Sequence, residues 1–180
     1  AMRAYVDRVL ALFPFEPALY QAHGVAADFV GHPLADQLAP AADRAERKRA
    51  LGFDPERPLL ALLPGSRRAE VARLAEPMVA AGSGLLREHP SWQLGLPVAN
   101  PGCDALLAPQ LSANPALRTL DGRATELLAA ADLAIVASGT ATLEAALVGV
   151  PMLVAYRLSP LTYWLVQRFK LLKSRWFSLP

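Results

Sequence analysis

The sequence predicts an α/β fold: a Rossmann-like parallel sheet with helices on both faces. Two observations carry this. From Pro58 onward, short apolar runs alternate with helix-length stretches in five successive strand–helix pairs, the order that a parallel sheet with helical crossovers requires. The runs are also continuously apolar, Leu59 to Leu63 above all, as strands buried on both faces must be.

Ahead of that region, Val6 to Leu12 reads as a strand, Glu16 to His23 as a helix and Ala27 to Val30 as a second strand, ended by Gly31-His32-Pro33. The charged stretch Asp43 to Leu51 reads as the solvated face of a connector helix. The pairs then follow: strand Leu59 to Leu63 with helix Arg68 to Arg87, strand Trp92 to Val98 with helix Ala105 to Leu111, and strand Leu117 to Leu120 with helix Ala124 to Ala131. Strand Leu133 to Ala137 precedes helix Thr140 to Leu147, and strand Met152 to Tyr156 precedes an apolar, basic helix from Leu161 to Leu172. These boundaries divide the chain at 1–33, 34–57 and 58–180. The start at Ala1-Met2, directly ahead of a strand, and the end at Ser178-Leu179-Pro180 predict a piece of a longer protein.

Composition narrows the function. A net charge of +2, from 18 basic and 16 acidic residues, lacks the basic excess of a nucleic-acid binder. Cys103 is the single cysteine, so an intrachain disulfide is excluded; a reducing compartment suits the chain, and Cys103 reads as a residue without a chemical role. No signal peptide precedes the first strand, and no apolar run reaches the ~18 residues of a membrane span. The most apolar stretch, Ala145 to Tyr156, is broken by Gly149 and Pro151. A soluble or peripheral protein is expected.

In an open parallel sheet, ligands sit beyond the carboxyl ends of the strands, where the strand order reverses. Two post-strand loops carry suitable chemistry. In Leu62-Leu63-Pro64-Gly65-Ser66-Arg67, Gly65 lets backbone amides approach an anion, the next helix offers unbonded N–H groups, and Arg67 can grip a phosphate with two parallel hydrogen bonds. The loop lacks Walker A spacing and reads equally as a plain strand-to-helix turn. In Ser138-Gly139-Thr140-Ala141-Thr142-Leu143-Glu144, Ser138 suits an N-cap, Gly139 permits close approach, and Thr140 and Thr142 add hydroxyls. Glu144 repels phosphate but suits the vicinal hydroxyls of a ribose; a capped helix with an early glutamate explains the same residues. Two such loops in one sheet favour a nucleoside diphosphate. Asn100, Asp121 and Gly122 also follow strands and are further candidates for nucleotide contact, or for plain turns. His23, His32 and His89 have no metal-ligand spacing, and no Gly-x-Ser-x-Gly elbow is present. The aromatic and basic segment Arg157 to Phe177 suits either an anionic membrane surface or packing against another part of the protein.

These residues also carry a family resemblance. Leu62-Leu63-Pro64-Gly65-Ser66-Arg67 with Glu70-Val71, then Ser138-Gly139-Thr140-Ala141-Thr142-Leu143-Glu144, then Tyr156-Arg157 with Pro160-Leu161-Thr162-Tyr163 and Ser178-Leu179-Pro180, resemble in order the motifs of the lipid-A-disaccharide synthases. Phe13-Pro14-Phe15-Glu16 and Phe29-Val30-Gly31-His32-Pro33-Leu34 are similar to the same family.

The resemblance implies an inverting, two-domain GT-B glycosyltransferase that joins UDP-2,3-diacylglucosamine to 2,3-diacylglucosamine 1-phosphate and releases UDP. It works at the cytoplasmic face of the inner membrane, with no cofactor and no metal in the donor site. By position, Gly65, Ser66, Arg67, Ser138, Gly139, Thr140 and Thr142 would meet the donor diphosphate, and Glu144 the ribose. Residues 1–33 would be the tail of the acceptor domain, 34–57 the interdomain connector and 58–180 the UDP-sugar-binding domain. The general base would lie in the acceptor domain outside this chain, so the chain alone is expected to bind UDP without turnover. A membrane surface, a lipid acceptor and a homodimer are the implied partners. Other readings are a different UDP-sugar GT-B transferase or epimerase, a noncatalytic nucleotide-binding half-protein, and a membrane-anchoring module.

Overall fold

The computed structural model describes residues 5–37 and 43–159, with Trp164 and Arg168. It forms two compact units, divided between Ala39 and Pro40.

In the first unit, β1 (Arg8–Ala11) and β2 (Ala26–Phe29) pair in parallel with Arg8 opposite Ala26, and α1 (Glu16–Ala22) makes the crossover. Glu16 starts that helix, and its Oε2 turns back to accept from the Leu12 and Phe13 amides, both at 2.9 Å, which fixes the turn between β1 and α1. A short helix α2 (Pro33–Gln37) follows. Leu10, Leu19, Phe29 and Val30 are exposed.

The second unit holds a five-stranded sheet. In chain order its elements are α3 (Arg44–Ala50), β3 (Leu59–Leu63), α4 (Arg68–Glu88), β4 (Gln93–Val98), α5 (Asp104–Ala113), β5 (Leu117–Asp121), α6 (Ala124–Ala130), β6 (Leu133–Ala137), α7 (Thr140–Leu147) and β7 (Met152–Ala155). Every strand pairing is parallel, and the spatial order is β5-β4-β3-β6-β7. The chain therefore winds outward from β3 to β5, returns to the other side of β3, and winds outward again through β6 and β7. The α/β class and all five strands expected after Pro58 are present. The expected helix Leu161 to Leu172 lies outside the described residues, apart from Trp164 and Arg168.

Burial explains the arrangement. All five residues of β3 are buried, as a central strand covered on both faces requires. α4 buries a stripe at the helical period: Val71, Ala75, Val79 and Gly82 lie against Leu62, Leu94 and Leu96, and Leu74 and Met78 pack with Ala137. Gly95 leaves room for the opposite layer: a Cβ there would sit 2.7 Å from Leu127 Cδ1 of α6. Within α4, Pro77 has no N–H to give the Arg73 carbonyl one turn earlier. Arg157, just past β7, donates to that carbonyl from its guanidinium at 3.3 Å.

The charged stretch behaves differently from the solvated face expected of it. Asp43 caps α3 by accepting from the Glu46 amide at 3.0 Å, and α3 packs against α6. Lys48 is only 5% exposed. Its Nζ lies 2.7 Å from Asp132 Oδ2 and donates to the Arg57 carbonyl at 2.9 Å; the same Asp132 oxygen accepts from the Leu59 amide at 2.8 Å. Residues 43–57 are thus tied to the amino ends of β3 and β6. Lys48→Ala would leave Asp132 without its cation and the Arg57 carbonyl without a donor. We expect urea titration to show a loss of about 2–4 kcal/mol.

Candidate functional site

The two loops singled out in the sequence leave the carboxyl ends of β3 and β6, which are neighbours in the sheet. They therefore flank the point where the strand order reverses, the position at which open α/β sheets bind ligands. A cleft of about 510 Å³ lies there. Its walls come from Gly65, Ser66 and Arg67 after β3, Ser138, Gly139, Thr140 and Glu144 after β6, Gly122 to Ala124 after β5, and Pro97 and Ala99 near the end of β4.

The first loop is shaped by Gly65 and Glu70. Gly65 has φ +109°, a conformation unfavourable for side-chain-bearing residues, and a Cβ there would fall 2.5 Å from Glu70 Oε2. Glu70 turns back over the loop, and its Oε1 takes a 2.6 Å hydrogen bond from the Arg67 guanidinium. The Arg67 side chain is 81% exposed, so this pair contributes little to stability and can yield to a stronger anion. Asn100 holds the loop from the side, its amide donating to the Ser66 carbonyl at 2.9 Å. Arg68 reaches the Gly102 carbonyl at 2.5 Å.

The second loop opens α7. Thr140 is exposed at the cleft wall. Thr142 is 1% exposed, and its hydroxyl donates to the Gly139 carbonyl at 2.6 Å. Glu144 faces the cleft one turn further on, and its Oε2 accepts from the Thr125 hydroxyl at 2.6 Å.

Of the expected site residues, the structure brings Gly65, Ser66, Arg67, Gly122, Ser138, Gly139, Thr140 and Glu144 to one cleft. It leaves Thr142 behind the wall, turns the Asn100 amide to Ser66, and places Asp121 exposed at the end of β5, off the cleft. Sequence reasoning passed over Glu70, Arg123 and Ala124 as wall residues. Arg123 has φ +56°, and it directly follows Gly122 at φ +61°. Two left-handed residues in succession turn the chain sharply from β5 into α6. A hydrogen bond from Arg123 to Glu126 at 2.5 Å holds the Glu126 carboxyl below its ordinary range and raises the Arg123 guanidinium above its own. That bond is lost as pH falls through the lowered carboxyl value.

The whole chain, residues 1–180, matches the family model described as lipid-A-disaccharide synthetase. The chain belongs to the lipid-A-disaccharide synthase family. It is 49% identical over 179 residues to the lipid-A-disaccharide synthase of Xanthomonas euvesicatoria pv. vesicatoria (strain 85-10), covering 97% of this chain and 40% of that protein. Identity to the enzyme of Xylella fastidiosa (strain M12) is 48% over 182 residues, covering 98% and 47%. The chain thus spans less than half the length of these relatives. Among solved structures, the pneumococcal O-GlcNAc transferase GtfA in complex with UDP and GlcNAc superposes with a TM-score of 0.53 at 13% identity, over 88% of this chain and 32% of that one. The likeness shows the fold: a parallel sheet flanked by helices, of the GT-B type.

The geometry at Gly65 gives a direct test. Gly65→Ala meets both an unfavourable φ and the Glu70 side chain, whereas a Cβ at Gly122 meets nothing within 4 Å. Thermal or urea unfolding is expected to show a loss of about 2–3 kcal/mol for the first and about 1 kcal/mol for the second.

Proposed function

We propose that this chain is the donor-binding portion of a lipid-A-disaccharide synthase, which joins UDP-2,3-diacylglucosamine to 2,3-diacylglucosamine 1-phosphate with inversion and releases UDP. Family membership supports the reaction. The observation that carries the site is that the loops after β3 and β6 converge on one cleft at the reversal of strand order. On this reading residues 1–33 are the tail of the acceptor domain, 34–57 the connector and 58–180 the donor domain. The general base is an aspartate of the acceptor domain outside this chain.

In the cleft, Gly65, Ser66, Ser138, Gly139 and Thr140 approach the donor diphosphate with backbone and hydroxyl donors, and the starts of α4 and α7 contribute their positive ends. Arg67 leaves Glu70 for the phosphates, so charge building on the departing UDP meets fixed donors and a cation. Thr142 contributes by shaping the Gly139 turn. Glu144 takes the ribose hydroxyls, and the Gly122 turn lies towards the base.

Calorimetry with UDP tests this reading. The parent chain is expected to bind UDP; Arg67→Ala and Glu144→Ala are each expected to weaken it about tenfold or more while staying folded. A folded parent that does not bind UDP overturns the assignment. The purified 180 residues are expected to show no disaccharide synthesis.

We place the enzyme on the cytoplasmic face of the inner membrane, where its lipid acceptor lies. Among the described residues no helix is long and apolar enough to cross a membrane. The basic and aromatic segment 157–177 supports a peripheral mode. Binding to anionic liposomes is expected, and it should fall as salt rises from about 0.05 to about 0.5 M, which shortens the screening length roughly threefold.

A further inference from the structure

We propose that Thr125 is a positioning residue: by holding one oxygen of Glu144, it makes the cleft select a ribose over a deoxyribose. The inference rests on the reading of Glu144 as the ribose ligand.

A glutamate side chain has three rotatable bonds, and on a half-exposed helix face its carboxylate samples many orientations. Glu144 does not have that freedom. Its Oε2 accepts from Thr125 Oγ1 at 2.6 Å, a short bond in the range of a hydroxyl on a charged acceptor. With one oxygen tethered to α6, the carboxylate of this cleft-lining residue is restricted in the directions its second oxygen can take. Thr125 is half-buried and is not part of the cleft wall, whereas Gly122, Arg123 and Ala124 just before it are. It therefore acts on Glu144 from behind without touching a nucleotide.

The local fold is built to keep Thr125 there. The left-handed pair Gly122 and Arg123 sets where α6 begins. Arg123 bonds Glu126 across the first turn, and Leu127 and Leu128 anchor the helix in the core at 0% exposure. α6 and α7 lie side by side, which brings the two residues within reach. A vicinal diol needs a carboxylate whose two oxygens are presented in a set direction. A carboxylate free to swing still accepts hydrogen bonds but distinguishes poorly between a sugar with both hydroxyls and one lacking the 2′-hydroxyl.

The test is calorimetry of this chain with UDP and with 2′-deoxy-UDP, on Thr125→Val, Thr125→Ser, Glu144→Ala and the Thr125→Val/Glu144→Ala pair. Valine keeps the branched shape and removes the donor; serine keeps the donor. Thr125→Val is expected to weaken UDP about five- to twentyfold, with 2′-deoxy-UDP changed less than about twofold. Thr125→Ser should stay within about twofold of the parent for both ligands, and the double variant should bind UDP no more weakly than Glu144→Ala alone. If Thr125→Val lowers the melting temperature so far that it is unfolded during titration, Thr125→Ala carries the same expectations. Loss of UDP binding by Glu144→Ala alone, with Thr125→Val like the parent, overturns the positioning role and leaves the ribose reading standing. Equal weakening of both ligands by Thr125→Val also overturns it, since that marks a general loosening of α6 against α7. Unchanged UDP binding by Glu144→Ala overturns the ribose reading, and the role of Thr125 falls with it.

Discussion

The strand Leu59–Leu63 is buried along its whole length, and the chain leaves its two sides in opposite directions. A central parallel strand has both edges paired and both faces covered, so only its ends are open to other groups. At the carboxyl end, the connection to α4 and the neighbouring connection from β6 to α7 must diverge to opposite layers, and they leave a gap between them. The cleft is that gap. Its location follows from the order β5-β4-β3-β6-β7, before any side chain is considered. At the amino end the same strand is closed by Lys48 and Asp132, whose shared oxygen also takes the Leu59 amide. One end is therefore closed by a half-buried ion pair and the other left open.

An open end needs bracing, because loops that diverge cannot support one another through a sheet ladder. The structure supplies the braces from outside the cleft. Asn100 and Arg68 tie the loops after β3 and β4 together through the Ser66 and Gly102 carbonyls. Thr142 closes the Gly139 turn, and Thr125 joins α6 to Glu144. Just past β7, Arg157 satisfies the carbonyl that Pro77 leaves without a helical donor. These bonds run mainly from side chains to backbone, so each fixes a chain path, while at the cleft wall Arg67 and Glu70 hold each other.

That division explains what could be read in the sequence. Continuous apolar runs identified the strands, and chemistry placed directly after them identified both loops, because in this architecture position along the chain fixes which end of the sheet a residue occupies. Position does not fix the direction of a side chain. Thr140 and Thr142 are two apart at a helix start, and a rotation of about 200° between them sends one to the cleft and the other into the core. Asn100 follows β4 as a ligand-binding residue would, but its amide finds the Ser66 carbonyl. Lys48 sits among six charged residues in nine, Asp43 to Leu51, and only the docking of α3 on α6 shows which of them is buried. The left-handed backbone of Arg123 has no signature in composition, since its neighbour Gly122 alone would have accounted for the turn.

The charges around the cleft follow a repeated pattern. Arg67 precedes α4 and bonds Glu70 three residues on; Arg123 precedes α6 and bonds Glu126 three residues on. In each case the glutamate lies in the first turn, where the helix dipole favours a negative charge, and the arginine is drawn inward over the same turn against that dipole's preference. Both guanidiniums are substantially exposed, at 81% and 41%, so neither pair is strongly stabilised by its own Coulomb attraction. On the proposed donor-site reading, a diphosphate would compete with Glu70 for Arg67 while also meeting the amides at the start of α4. Exchanging one carboxylate for a more highly charged partner costs little and leaves Glu70 at a helix start that still accommodates it. On that reading, an arginine held by so exposed a partner would exchange it for the ligand at little cost, unlike Lys48, which is buried and bonded to both Asp132 and the Arg57 carbonyl.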